Sequence, residues 1–184
     1  MLRALLAFVV VGTMVPEVSA QGRASVGGQF ALMREQGDVF GSGPSGGVTI
    51  SLLQGQIGFS LVRSGALPRL QLLNELVIGE SIRPRDKFIL GLDETFRLHL
   101  RPDRHVGWYM EVGAGISSVA RKVKNLDGSL QYMLHVGAGL RVNGGPGFVT
   151  VGYRFSHFSN NGTTPPNLGL NLHTVVAGYT LPLR

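Results

Sequence analysis

Apolar and polar residues alternate with a period of two in eight separate stretches of this chain. In "RASVGGQFALM" the apolar set is Val26, Phe30 and Leu32, against Ser25, Gly27 and Gln29. "GVTISLL" offers Val48, Ile50 and Leu52, and "RLQLLNELVIG" sets Leu70, Leu72, Leu76 and Ile78 against Arg69, Gln71 and Glu75. "KFILGLDETFRLHL" opposes Phe88, Leu90, Leu92, Phe96 and Leu98 to Lys87, Asp93, Arg97 and His99. Trp108, Met110, Val112 and Ile116 face away from Glu111, Gly113 and Gly115, and Leu130, Tyr132, Leu134, Val136, Leu140 and Val142 from Gln131, His135 and Arg141. Two further stretches run from Phe148 to Ser159 and from Gly169 to Leu183. Period-two alternation marks strands with two unlike faces. No segment after residue 20 sustains a helical repeat or an apolar run long enough for a membrane helix. The expected fold is all-β, with eight strands.

Two closed barrels satisfy this pattern. A soluble carrier turns the aliphatic face inward, whereas a membrane barrel turns it toward lipid and keeps a polar lumen. Alternation by itself does not choose. The polar face is rich in Gly and in charges of both signs, which suits a narrow interior where Glu75, Glu111, Arg97, Arg141 and Arg154 pair, so a transmembrane antiparallel barrel is expected. With the N-terminus in the periplasm, the outer loops fall near Arg34–Gly46, Glu80–Asp86, Ala120–Gly128 and Asn160–Leu168. The shorter turns fall near Arg63–Pro68, Arg101–Arg104 and Asn143–Gly147, the last reading "NGGPG". One residue breaks the rule: Glu94 falls on the aliphatic face, with Asn74 near it on the preceding strand. Either a β-bulge rotates the register there, or a polar pair faces lipid.

Composition changes the picture in three ways. Residues 1–20, "MLRALLAFVVVGTMVPEVSA", combine Arg3, a short apolar core, Pro16 and small residues before Gln21, the layout of a secretory signal peptide. Residues 21–184 then form one barrel domain. The chain has 184 residues, 27 of them Gly and none Cys, so an exported fold is reached without disulfides. The formal charge of +6 points to an anionic neighbour, and export favours lipid or lipopolysaccharide over nucleic acid. The five histidines show no metal-ligand spacing.

Candidate chemistry lies at the end of the seventh stretch. Val149, Val151, Tyr153 and Phe155 share a face, and the same parity carries His157 and Ser159 onto it. In the eighth stretch Asn171 and His173 share a face with Val175, Ala177, Tyr179 and Leu181. His157, Ser159 and Asn171 should therefore meet on the outer wall. An imidazole two residues from a hydroxyl is the minimum for an activated serine, and Asn171 is placed to accept the imidazole N–H. The amides of "SNNG" are available to a developing oxyanion. The plain reading of the same residues is a solvated strand end.

The stretch "HFSNNGTTPPNLGLN" resembles the signature of the PagL-type lipid A 3-O-deacylases, with His-x-Ser-Asn, then Gly, then Pro-Asn-x-Gly at matching intervals. "YMEVGAGI" and "HVGAGLRV" are similar to the family's fifth and sixth strands. The resemblance implies an eight-stranded barrel of the bacterial outer membrane, with its active site toward the outer leaflet. Its substrate would be lipid A within lipopolysaccharide, and its reaction hydrolysis of the ester-linked 3-acyl chain, without a cofactor. By position, Ser159 would be the nucleophile and His157 the general base and acid, with Asn160 and Gly162 at the oxyanion. Asn171 stands where the family pattern has Glu, giving Ser-His-Asn. The alternative is a barrel of the same family with little activity and a structural or lipid-binding role. His99 and His135 are expected in the lumen, and "RPRD" and "ARKVK" in loops suited to lipid A phosphates.

Overall fold

The computed structural model describes residues 24–35, 47–65, 67–83, 87–119, 130–160 and 169–183. The leader expected at residues 1–20, Gly162 and most of the basic loop segments lie outside them. Eight strands follow in order: β1 (Ala24–Glu35), β2 (Thr49–Ser64), β3 (Leu67–Arg83), β4 (Lys87–Leu100), β5 (Val106–Val119), β6 (Leu130–Gly144), β7 (Gly147–Ser159) and β8 (Leu170–Pro182). Each pairs antiparallel with its neighbour, and β1 pairs with β8 to close the barrel. Closure leaves no sheet edge unpaired, the condition for a sheet to stand in hydrocarbon.

The aliphatic face is outside. Leu53, Leu134 and Val175 are 65%, 60% and 61% exposed, and Phe30, Leu92, Trp108, Val136 and Val151 are exposed with them. Arg97, Glu75, Glu111 and Arg154 are buried in the lumen. The soluble alternative is thereby excluded, since a barrel in water would reverse the two faces.

Ion pairs fill the middle of the lumen. Arg97 meets Glu111 at 2.8 Å, and Arg154 bridges Glu111 at 2.5 Å and Glu75 at 3.0 Å. Gln56 donates to Glu75 at 2.6 Å. His135 reaches Thr95 at 3.2 Å and Asp93 at 3.4 Å. His99 lies 3.4 Å from Gln71 and packs edge-on against Phe148. Both histidines are interior groups, as expected. Gly113 and Gly152 make room: a Cβ at Gly113 would stand 2.3 Å from the His135 ring, and one at Gly152 2.0 Å from the Tyr109 hydroxyl.

Two expectations need correcting, and one open alternative is decided. Arg141 does not join the ion pairs; it closes the end of the lumen by donating to Asn143 and to the carbonyls of Pro102 and Arg104. Val48, Ile50 and Leu52 face inward, not toward lipid, and all three are buried. They join Met33, Val77, Ile89, Met133, Phe158, Leu170 and Leu172 in an apolar plug at the end opposite the tight turns. The outward residues of β2 include Leu53 and Ile57. Nor does a bulge rescue Glu94. The β3–β4 register runs unbroken from Leu70↔Leu98 to Ser81↔Lys87, and Asn74 and Glu94 are direct partners on the outer wall.

Candidate functional site

β7 and β8 hold the candidate residues at the plugged end of the barrel. Along β7 the inward residues Arg154, Ser156 and Phe158 are buried, while Tyr153 and His157, of the opposite parity, are exposed on the outer wall. Phe158, Leu170 and Leu172 anchor both strands in the apolar plug. Their neighbours His157, Ser159 and Asn171 must then point the other way, because successive side chains alternate across a sheet.

The register makes His157 and Asn171 direct cross-strand partners. His157 Nδ1 lies 2.7 Å from Asn171 Oδ1. A carbonyl oxygen only accepts, so Nδ1 donates in this contact, and in the neutral ring Nε2 is then the nitrogen with the lone pair. That is the tautomer a general base requires. Ser159 follows on the same face two residues on, about 6.6 Å along the strand, and is half-buried opposite Tyr132. Asn160, the first residue beyond β7, is fully buried. Of the two residues expected at the oxyanion, Asn160 adjoins Ser159 and Gly162 lies outside the described residues.

Two features were not expected from the sequence. Gly169, at the entry to β8, has φ +70, and a Cβ there would stand 2.6 Å from His157 Cε1 and 3.2 Å from Nε2. Backbone conformation and space both demand glycine. The signals in the sequence were its place as the last residue of the Pro-Asn-x-Gly signature and its position just before an alternating stretch, where a turn residue belongs. Second, His173 pairs one rung away from the site: its Nδ1 is 2.5 Å from the Tyr153 hydroxyl, and its ring packs edge-on to Phe155 at 5.5 Å. His173 thus shares the face of Asn171 but belongs to an aromatic cluster beside it.

The family model described as "Lipid A 3-O-deacylase (PagL)" matches residues 89–180, half of the chain, and its span holds His157, Ser159 and Asn171. The chain belongs to the PagL family. Comparison with curated proteins returned no match. Among solved structures, Neisserial surface protein A is similar with a TM-score of 0.64 at 12% identity, covering 87% of this chain and 97% of that one. The outer membrane enzyme PagL gives 0.57 at 20% identity, covering 86% and 99%. The N-terminal barrel of Pseudomonas aeruginosa OprF gives 0.52 at 15%, covering 88% and 100%. These likenesses establish the fold, that of a small outer-membrane barrel. The family assignment rests on the sequence model.

Proposed function

We propose that this PagL-family barrel is a lipid A 3-O-deacylase that works from the outer leaflet of the bacterial outer membrane through a Ser-His-Asn triad. The observation that carries the reading is the 2.7 Å contact between His157 Nδ1 and Asn171 Oδ1 on a lipid-facing wall, inside the stretch that matches the family. The long loops and the site would lie on the outer side, where lipid A resides.

The chemistry follows from the residue types. Ser159 Oγ attacks the carbonyl carbon of the 3-acyl ester, and its proton passes to His157 Nε2. The tetrahedral oxyanion is held by donors at Asn160 and Gly162. Collapse breaks the bond to the sugar oxygen, which takes the proton from His157, and leaves an acyl-serine. Water then attacks the acyl carbon and gives its proton to the same nitrogen. A second collapse releases the fatty acid and returns the proton to Ser159. A site on the outer wall meets its substrate where the acyl chains already are.

A second reading has one observation in its favour. Asn171 is neutral and stabilises the imidazolium less than a carboxylate would, which fits a barrel of low activity retained for structure or lipid binding. The mass of lipid A before and after incubation with purified protein in detergent separates the two. Loss of one ester-linked acyl chain, abolished in Ser159→Ala and His157→Ala, supports the deacylase. Intact lipid A, under conditions where an active deacylase cleaves it, supports the second reading.

A further inference from the structure

The lipid-facing surface carries one polar feature that the candidate site does not use. Glu94 stands midway along β4, with Phe88, Leu90 and Leu92 exposed on one side of it and Phe96, Leu98 and Leu100 on the other. Its cross-strand partner on β3 is Asn74, and the same rung continues to Ile57 on β2 and Ala114 on β5. Both polar residues are half-buried on the outer wall. Among the described residues, no hydrogen bond holds the Glu94 carboxyl or the Asn74 amide. A carboxyl group and an amide at the middle of an apolar wall are costly in lipid unless a partner satisfies them.

We infer that the β3–β4 wall is a docking surface for a second copy of this chain, joined by reciprocal Glu94–Asn74 hydrogen bonds. An acid beside an amide is self-complementary. About a two-fold axis in the bilayer normal, the Asn74 amide of each copy donates to the Glu94 carboxyl of the other, so one patch serves as both halves of the interface. The small side chain of Ala114, next to Glu94 on the rung, lets the second wall approach closely, as small residues do between membrane segments. Topology supplies an independent argument. The β3–β4 seam is four strands from the β7–β8 seam in either direction around the closed barrel. A dimer joined there would leave both His157–Asn171 pairs facing lipid, at its two far ends. The pairing does not depend on catalysis.

The test uses the full mature chain in phospholipid vesicles. The natural sequence has no cysteine, so Asp103→Cys, at an exposed turn, gives a single labelling point. Energy transfer between donor- and acceptor-labelled copies is measured as the protein-to-lipid ratio is varied. Saturable transfer is expected, with association weakened at least tenfold in Glu94→Leu and in Asn74→Leu and retained in Glu94→Gln, whose amide still bonds Asn74. Separately, Leu92→Cys should form a disulfide-linked dimer on mild oxidation, and should lose it when Glu94→Leu is added. The leucine variants replace polar groups in lipid by apolar ones, and the shift of a folded barrel on unheated gels verifies folding. A monomer at every ratio, or a dimer unchanged in Glu94→Leu, would overturn the proposal.

Discussion

Strand β7 carries two polar clusters, back to back across one sheet. Inside, Arg154 joins Glu75 and Glu111 with both carboxylates satisfied. Outside, three residues further along, His157 has Asn171 as its partner on the lipid side. The inner cluster is enclosed and internally matched, so its charges stabilise the barrel through one another. The outer cluster keeps a basic nitrogen and a hydroxyl on the surface that faces acyl chains. The inner residues are closed off by one another, whereas those on the outer wall stand where a molecule in the bilayer can reach them.

Breaking each cluster should therefore give different phenotypes. Ser159→Ala and His157→Ala are expected to reduce deacylation by on the order of 10⁶-fold while the unfolding midpoint in urea stays unchanged. Arg154→Leu should do the reverse. Two buried carboxylates lose their cation, and stability falls by about 3–5 kcal/mol, measured as the folded fraction across a urea titration. Gly169→Ala would displace the His157 ring and lower kcat by about a hundredfold, with KM for lipid A little changed. The smallest effect belongs to Asn171→Glu. A charge-assisted hydrogen bond is worth about 1.4 kcal/mol more than a neutral one, so kcat/KM should rise about tenfold. If Asn171→Glu destroys activity in a folded barrel, Asn171 does something other than orient His157.

The sequence made the barrel legible because two chemically unlike surroundings impose a period of two on every strand. It made the candidate site's placement legible because parity alone put His157, Ser159 and Asn171 on one wall. It misled at Val48, Ile50 and Leu52. Alternation shows that two faces differ, but not which side each lies on once the lumen itself turns apolar at one end. Arg141 was misplaced for a related reason, since the turn carbonyls that capture it carry no side-chain signal. Glu94 left two outcomes open that only the register decides. The sequence marked a glycine at 169 but not its approach to His157, because the turn and not residue spacing brings that backbone against the ring.

The two fillings of the lumen have an electrical consequence. Above the salt-bridged middle, Met33, Ile50, Leu52, Met133 and Phe158 form an oily stopper, and below it Arg141 bolts the turns together. An ion entering from either mouth meets a barrier among the described residues, and single-channel recordings in a planar bilayer are expected to show no steps of current.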